Sequence, residues 1–234
     1  MIEDTPRMLL IDGHGLVYRG YYALPDTLTA PDGVPTNAIV GFTNMLLKCV
    51  KDINPNYIGI FFDPKGPTRR HELYKEYKDG RKPTPDKLKV QIPLIIEICT
   101  AMGFPVFVRD NIEADDYIVS TAKAASESGI QVTILTADKD LFQIISKDIQ
   151  IMRPIKGVSK FKIYDKFYFC DEFGFTPEKM SDYLALVGDS ADNIIGVKGI
   201  GEKGAKDLIA QFSGLDEIYA NLDSIPKARR TKLE

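Results

Sequence analysis

Residues 7–12 read RMLLID, residues 57–63 read YIGIFFD and residues 132–140 read VTILTADKD, and these three stretches decide the fold. Each contains an apolar run that is short for a helix, and each run leads to an acidic side chain. Continuous apolar runs of this kind are typical of strands buried on both faces of a parallel sheet. Helical patterns alternate with them along the chain. The sequence therefore predicts an α/β fold, with a mostly parallel sheet flanked by helices on both faces.

Glycine, proline and charged residues set the expected element boundaries. Strands are predicted over residues 7–12, 57–62, 105–109, 131–136 and 149–153. Helices are predicted over 16–23, 36–51, 86–102 and 113–128, with Thr36 as a cap and a short helix after Asp138. A polar hairpin is expected at 156–164, followed mainly by helices: one after Asp165, then 177–187, 202–212 and 215–222. The expected division is a catalytic domain over 1–170 and a small helical module over 171–234.

The bulk composition favours a protein with a sizeable core in a reducing compartment. The chain has 234 residues, of which 44% are hydrophobic, enough for one large domain with a small appendage. Its apolar runs are too short to cross a membrane, and its N-terminus lacks a secretory signal. Cys49, Cys99 and Cys170 lie far apart without metal-type spacing, so we interpret them as buried thiols. The expected location is the cytoplasm.

Nine carboxylates stand where a chain normally avoids charge, at the ends of predicted strands or near the starts of predicted helices. They are Asp12, Asp63, Glu113, Asp115, Asp116, Asp138, Asp140, Asp189 and Asp192. The carboxyl ends of parallel strands meet at one edge of a sheet, so these acids are expected to gather in one cleft. Gathered acids repel one another unless cations neutralise them. The pattern predicts a site for divalent metal ions.

Oxygen ligands without histidine or cysteine partners favour Mg²⁺ or Mn²⁺ over zinc. Two such ions about 4 Å apart can activate water and stabilise the leaving oxygen in phosphoryl transfer. Because His14 and His71 are the only histidines in the chain, a Ser-His-Asp or zinc-peptidase site has almost no material. Part of the pattern also has a structural explanation, since the acids at 113–116 can favour a helix N-terminus and Asp138 can cap a helix.

The charge distribution indicates nucleic acid as a partner in spite of a formal net charge of −3. If the nine acids hold metal ions, the rest of the surface is positive. Residues 65–89 carry nine lysines and arginines against four acids, which suits binding of a phosphate backbone beside an acidic pocket. A solvated charged surface is the alternative for this segment alone. Residues 64–85 also contain four prolines and are expected to be mobile or only conditionally helical.

A glycine-rich turn, GVKGIG at residues 196–201, lies between two predicted helices. Such a turn presents backbone amides and a helix N-terminus toward phosphate. It follows a helix rather than a strand, which disfavours dinucleotide binding. A tight turn with only a structural role is the alternative.

Five segments in this order resemble the 5′-nuclease (flap endonuclease) superfamily, and within it the 5′→3′ exonuclease domains of bacterial DNA polymerase I. They are LLIDGHGLVYRGYYALP at 9–25, FFDPKGPTRRHELYKEYKDGRKPTP at 61–85, IEADDYIVSTAKAA at 112–125, ILTADKDLFQI at 134–144 and LVGDSADNIIGVKGIGEKGA at 186–205. The resemblance implies a PIN-like (resolvase-like) α/β domain, with residues 64–85 as a flexible arch, joined to a helix–three-turn–helix module that binds DNA. It also implies Mg²⁺-dependent hydrolysis of DNA with 5′ flaps, nicks or 5′ ends, and of RNA primers in RNA–DNA hybrids, during replication and repair.

The resemblance also assigns roles to residues of this chain. Asp12, Asp63, Glu113, Asp115 and Asp116 would form an inner metal cluster, and Asp138, Asp140, Asp189 and Asp192 an outer one. Arg70, Lys78 and Arg81 of the arch would steer the scissile phosphate as catalytic residues. Tyr18, Arg19, Tyr22 and Tyr77 would contact an unpaired 5′ nucleotide, with packing as the alternative for Tyr22 and Tyr77. Gly196, Lys198, Gly199, Gly201 and Lys203 would hold duplex backbone, with K⁺ bound at the turn.

The chain departs from the family pattern at His14, where a small polar residue is usual. We expect this side chain to point outward; tuning of hydration near Asp12 is the alternative. Relatives attached to a polymerase continue beyond Glu234, so part of the helical module is expected to be missing. The expected protein is a monomer associated with the nucleoid, with a covalently linked polymerase module in its parent and no membrane contact. Two alternatives stay open: a catalytically silent, structure-specific DNA-binding protein on the same scaffold, and a PIN-type ribonuclease.

Overall fold

The computed structural model describes residues 5–234 of the chain. Its main sheet is built from β1 (Arg7–Asp12), β2 (Tyr57–Phe62), β3 (Val106–Val108), β4 (Gln131–Leu135), β5 (Ile149–Lys156) and β6 (Lys160–Tyr164). The strands lie in the order β3-β2-β1-β4-β5-β6, and all pairs are parallel except β5 with β6. The strand order reverses between β1 and β4. Open parallel sheets place ligands outside the carboxyl ends of the strands at such a switch point.

Helices cover both faces of the sheet, as predicted. They are α1 (Gly13–Ala23), α2 (Asn37–Ile53), α3 (Arg69–Leu73), α4 (Asp86–Lys89), α5 (Gln91–Ala101), α6 (Ala114–Glu127), α7 (Lys166–Phe173), α8 (Met180–Val187), α9 (Glu202–Phe212), α10 (Leu215–Ala220) and α11 (Lys227–Leu233). Within residues 5–234, no helix is long and apolar enough to span a membrane.

Alternation of side chains along the strands produces two cores. In β1, Leu9 and Ile11 face one way and pack with α1, α2 and α5, whereas Leu10 faces the other way and packs with α6. The second core continues into α7–α11, so the sheet and the C-terminal helices share one apolar interior. Cys49 and Cys99 are buried in the first core, and Cys170 is half-buried; all three are free thiols.

The predicted helix over 86–102 is divided into α4 and α5 at Val90. Pro93 explains the division, because it has no amide hydrogen to donate to the carbonyl of Lys89. Gln91 then turns its side chain into the interior, where Oε1 accepts from Ala38 N at 2.8 Å and caps α2. Thr36 stands at the N-cap position of α2, as predicted, but its side chain makes no capping hydrogen bond.

Smaller differences concern the edges of the sheet. The predicted strand over 105–109 is only Val106–Val108, whereas β5 continues beyond the predicted end to Lys156. The short helix expected after Asp138 is a 3-10 turn over Asp140–Ile144. The polar hairpin at 156–164 is formed by β5 and β6, as predicted.

The C-terminal helices begin beside the sheet and carry a second, two-stranded pairing. β7 (Gly188–Asp189) and β8 (Ile194–Ile195) pair antiparallel between α8 and α9. A Cβ at Gly196 would lie 2.3 Å from the carbonyl carbon of Val187, so only glycine fits at this crossing of the backbone. The glycine-rich turn then leads into α9.

Candidate metal and nucleic-acid site

Six aspartates from separate elements line one cavity of about 820 Å³ at the carboxyl edge of the sheet. They are Asp12 at the end of β1, Asp63 after β2, Asp115 in the first turn of α6, Asp138 after β4, Asp189 in β7 and Asp192 between β7 and β8. The other three predicted ligands, Glu113, Asp116 and Asp140, do not line this cavity. Parallel strands that are distant in sequence thus bring most of the predicted acids to one place.

Asp12 lies at the switch point and is held on both oxygens. Its Oδ1 accepts from Gly15 N at 2.9 Å, and its Oδ2 accepts from Thr136 Oγ1 at 2.9 Å. The same threonine hydroxyl accepts from Asp138 N at 2.9 Å, so it joins the acids of β1 and β4. Burial raises the pKa of Asp12 to about 6, in spite of these hydrogen bonds.

Asp63 is positioned by α6 and by His14. Its Oδ1 accepts from Ala114 N at 2.8 Å, and its own backbone N donates to Nδ1 of His14 at 3.1 Å. The His14 ring also lies edge-on to Phe62. Burial lowers the pKa of His14, which favours the neutral ring that can accept this hydrogen bond. The expectation that His14 points outward is wrong, because its ring supports the loop that carries Asp63.

Asp115 and Asp140 carry carboxyl groups whose pKa values are strongly raised. Burial and the neighbouring Asp12, Asp138 and Asp63 raise the pKa of Asp115 to about 8. Burial, followed by the charge of Asp138, raises the pKa of Asp140 to about 7. The Oδ1 atom of Asp140 is buried without a hydrogen-bond partner. Crowded carboxylates and an unpartnered oxygen are the donor set that suits a hard divalent cation.

Within the described part of the chain, the acidic side chains nevertheless do not form a complete coordination site for a metal ion. Across residues 5–234, no three acidic, histidine or cysteine side chains are grouped closely enough to hold an ion as they stand. The arch, residues 64–85, contributes to this arrangement, because its cations form ion pairs with three of the predicted metal ligands.

Glu113 and Asp116 are bound by the arch. Glu113 is buried, and its carboxylate accepts from Thr68 Oγ1 at 2.7 Å and from Lys78 Nζ at 3.0 Å. Arg70 forms a bidentate pair with Asp116, at 2.7 and 2.8 Å. These contacts lower the pKa of Glu113, although its burial acts in the opposite direction. Two of the three predicted phosphate-steering cations, Arg70 and Lys78, therefore neutralise Glu113 and Asp116.

The arch also docks on the loop between β7 and β8. Arg81 forms an ion pair with Asp192 and donates to the carbonyl of Ala191 at 2.8 Å. The backbone N of Lys78 donates to Asp192 O at 3.1 Å, and Asn193 Nδ2 donates to Glu76 O at 2.8 Å. The arch, expected to be mobile or only conditionally helical, is here a packed segment whose one short helix is α3.

Tyr77 belongs to this packing rather than to a stacking surface. Its side chain is only 7% exposed. Its hydroxyl lies 3.0 Å from Glu113 Oε2 and 2.8 Å from Asp192 Oδ2. The predicted contact with an unpaired nucleotide is therefore wrong for this arrangement, and the packing alternative fits Tyr77.

Tyr18, Arg19 and Tyr22 line the cavity, and the resemblance implies that they contact an unpaired nucleotide. Tyr22 is 71% exposed, and its ring stacks on that of Tyr18 with centroids 6.5 Å apart. The Tyr18 hydroxyl lies 2.7 Å from Thr84 Oγ1, at the end of the arch. An aromatic pair with one exposed ring, beside a basic residue, can stack an unpaired base.

The glycine-rich turn exposes its lysine side chains to solvent, and one of its carbonyl groups accepts a hydrogen bond from another lysine. Lys198, Gly199, Gly201 and Lys203 are exposed, and Gly199 has a positive φ of 85°. The Gly199 carbonyl accepts from Lys232 Nζ at 2.8 Å. The carbonyl of Gly199 is thus already bound by an ammonium group, and a K⁺ ion at residues 196–201 stays a prediction.

Sequence reasoning missed three polar residues of the site. Thr136 is fully buried in its contacts with Asp12 and Asp138, and its only sequence signal is a hydroxyl at the end of an apolar run. Lys139 and Arg153 line the cavity with the aspartates. Neither stands out in the sequence, because Lys139 lies between two acids and Arg153 lies within a strand.

Comparison with known proteins agrees with this architecture over residues 7–234. Residues 7–174 match the family model "5′-3′ exonuclease, N-terminal resolvase-like domain", and residues 175–234 match "5′-3′ exonuclease, C-terminal SAM fold". The 5′-3′ exonuclease of Aquifex aeolicus is 37% identical over 231 residues, covering 97% of this chain and 78% of the relative. DNA polymerase I of Caldicellulosiruptor bescii is 40% identical over 232 residues, covering 97% of this chain. The chain spans only 27% of that polymerase.

Solved structures share the fold. The bacteriophage T5 D15 flap endonuclease in a complex with DNA and metal ions has a TM-score of 0.78 at 20% identity, covering 97% of this chain and 83% of the phage protein. The catalytic core of Rad2 in complex with DNA substrate has a TM-score of 0.62 at 20% identity, covering 97% and 72%.

A resolvase-like sheet with acids at its carboxyl edge and a helical module beside it defines a class of nucleases. This chain belongs to the 5′-3′ exonuclease family within that class. The predicted resemblance and the predicted fold class are confirmed. The division near residue 170 and the roles of individual residues stay predictions.

Proposed function

We propose that the chain is a divalent-metal-dependent 5′-nuclease that hydrolyses phosphodiester bonds of DNA with 5′ flaps, nicks or 5′ ends, and of RNA primers paired with DNA. The observation that carries this proposal is the convergence of six aspartates on one cavity. Two of them, Asp12 and Asp115, have raised pKa values because they are buried and because neighbouring aspartates repel their negative charge. A protein gains nothing from such a cavity unless cations enter it.

The ions that fit this donor set are Mg²⁺, two or more, with Mn²⁺ as a substitute. The residues that would hold them are Asp12, Asp63, Asp115, Asp138, Asp140, Asp189 and Asp192, with Glu113 and Asp116 once the arch releases them. Bound metal would supply activation of water and neutralisation of charge on the leaving oxygen.

The chain's own side chains bind and orient the substrate. Lys78 and Arg81 line the same cavity as the aspartates, so their charges can meet a phosphate that enters it and stabilise the charge that develops there. Tyr18 and Tyr22 offer ring faces to an unpaired nucleotide, while Lys198 and Lys203 offer charge to duplex backbone. Cleavage of the P–O3′ bond would leave a 5′-phosphate and a 3′-hydroxyl.

The experiment uses a labelled 5′-flap DNA, a flap RNA of the same sequence, and EDTA. We expect cleavage of the DNA in Mg²⁺ or Mn²⁺ and none in EDTA. Asp63→Ala and Asp115→Ala should abolish cleavage and retain some DNA binding, whereas Glu97→Gln, an exposed acid of α5 away from the cavity, should cleave normally. Full activity of either alanine variant in Mg²⁺ contradicts the proposal.

The same assay tests the arch and the alternatives. Lys78→Met or Arg81→Gln should slow single-turnover cleavage by orders of magnitude, and unchanged rates would exclude them from catalysis. Flap binding without cleavage in either metal would indicate a catalytically silent DNA-binding protein, and preferential cleavage of the RNA would indicate a ribonuclease. Action as a monomer, and covalent attachment to a polymerase module in the parent protein, are further parts of the proposal.

A further inference from the structure

Arg153 is a cation that the fold fixes at the edge of the aspartate cavity. It lies on β5, and its Nε donates to the carbonyl of Ala137 at 3.1 Å. Its guanidinium carbon lies 5.9 Å from the centroid of the Phe142 ring, in a cation–π contact. These two contacts orient the planar group, so its terminal nitrogens are aimed rather than free to rotate.

The cations around the cavity fall into two sets. Lys78 and Arg81 of the arch are each paired with a carboxylate. Arg19, Lys139 and Arg153, which we call the basic wall, also line the cavity. Among residues 5–234, none of these three forms an ion pair with a carboxylate. Their charge is therefore available to an anion from outside the protein, although six aspartates line the same cavity.

The three residues of the basic wall are connected through β5 and its neighbouring loops. Arg19 Nε donates to the carbonyl of Gly157, in the hairpin that follows β5, at 3.2 Å. Lys139 lies two residues beyond Ala137, whose carbonyl accepts the hydrogen bond from Arg153. Arg19 also lies between Tyr18 and Tyr22 on α1, whose rings stack. Cations beside a pair of aromatic rings are the combination that binds single-stranded nucleic acid through its phosphates and bases.

We propose that Arg153, together with Arg19 and Lys139, binds backbone phosphates of an unpaired strand and sets its path past the Tyr18–Tyr22 pair into the cavity. This proposal rests on the proposed nuclease function and adds a second phosphate-binding surface, built on the sheet instead of the arch. Arg153 acts by holding substrate, and its guanidinium supplies two nitrogens that can bind one phosphate in a bidentate manner.

The test measures affinity for a fluorescein-labelled 5′-flap DNA by anisotropy over a series of salt concentrations. Ca²⁺ replaces Mg²⁺ because it also takes oxygen ligands. Arg153→Gln should weaken binding about tenfold. It should also reduce the slope of log Kd against log salt by about 0.7, the value for one lost contact to a single strand. Arg153→Lys should restore the slope but only part of the affinity. Lys147→Gln, an exposed lysine that precedes β5 at its other end, is the matched control and should change neither.

A second measurement separates substrate binding from support of the Ala137 loop, which also carries Asp138. Calorimetric titration of the DNA-free protein with Mg²⁺ should give the same affinity for wild type and Arg153→Gln. An unchanged salt slope with weakened Mg²⁺ binding would overturn the proposal and leave Arg153 a structural role. Cleavage of the flap by wild-type protein under Mg²⁺ tests the nuclease function independently, so failure of the two proposals can be distinguished.

Discussion

Asp115 carries a half-buried carboxyl group in the company of three other aspartates. Because its pKa is raised to about 8, the folded protein binds this proton more tightly than the unfolded chain, where the group titrates near 3.8. Without metal, the contribution of Asp115 to stability is therefore most favourable at low pH and becomes less favourable as the pH rises from about 4 to about 8. The ionised carboxylate lowers the free energy of unfolding, and a bound divalent ion would remove this destabilisation.

Asp115→Asn should therefore stabilise the metal-free protein. In EDTA at pH near 8, we expect a gain in the free energy of unfolding on the order of 1–3 kcal/mol, which shrinks toward pH 5. Urea denaturation at several pH values measures it. Glu97→Gln should follow the wild-type pH dependence. A variant less stable than wild type at pH 8 in EDTA would show that Asp115 is not repelled by its neighbours.

Single residues differ in how far the sequence reveals their role. Asp12, Asp63 and Asp138 could be predicted because charge at the end of an apolar strand is locally conspicuous. Thr136 could not, since its hydroxyl meets a carboxylate 124 positions away in the chain. The outward position expected for His14 is wrong, and the sequence leaves the role of Tyr77 open. The reason is the same for both residues: their partners, Asp63 for His14 and Glu113 and Asp192 for Tyr77, come from distant segments.

At the scale of elements, α1 and α2 approach each other through glycine. A Cβ on Gly41 would lie 2.5 Å from the Cα of Gly20, which is too close for any real contact. The pairing matters for the site, because α1 begins directly after Asp12 and carries Tyr18, Arg19 and Tyr22. The close approach of the two glycines thus helps to position α1, and with it the side chains that line the cavity.

Gly41→Ala should destabilise the protein by about 1–3 kcal/mol through overpacking, in spite of the higher helix propensity of alanine. Gly204→Ala in α9 is the control, because its Cβ would meet Ile200 Cγ2 at an ordinary 3.6 Å; it should be neutral or stabilising by up to about 1 kcal/mol. Thermal or urea unfolding compares them. Equal effects of the two substitutions would contradict a close helix contact at Gly41.

Element types could largely be predicted, and their ends could not. Apolar periodicity gives the strands and most helices, whereas Pro93 divides a helix that its pattern alone makes continuous. The arch shows the larger limit. Its prolines and charges indicate mobility when taken locally, but its cations find partners in Glu113, Asp116 and Asp192, which no local pattern contains.

At the scale of the whole molecule, aromatic rings join the sheet domain to the C-terminal helices. Phe142 follows β4, Phe169 and Phe173 lie on α7, and Tyr183 lies on α8. The rings of Phe169 and Phe173 stack at 4.4 Å, and Phe142 contacts both at 5.7 Å. The strand order and this shared core depend on long-range packing, so the sequence predicts the class of fold but not this joint.

Phe169→Ala should remove about 3–5 kcal/mol of stability, because its ring is fully buried. Sheet and helices should still unfold together, with coincident transitions by circular dichroism and tyrosine fluorescence. Phe167→Ala, on the same helix but 84% exposed, should change stability by less than about 0.5 kcal/mol. Separate transitions for the two parts would contradict a shared core.

The loop from Asp189 to Asn193 has a mechanical consequence. One end continues through β8 into the glycine-rich turn, and the middle is fastened to the arch by Lys78, Glu76 and Arg81. A duplex bound at the glycine-rich turn would therefore also act on the loop contacts that hold the arch in place. We therefore expect that binding of the paired part of a substrate and release of the arch for its unpaired end are coupled, and that a strand without an adjoining duplex meets the arch in its packed position.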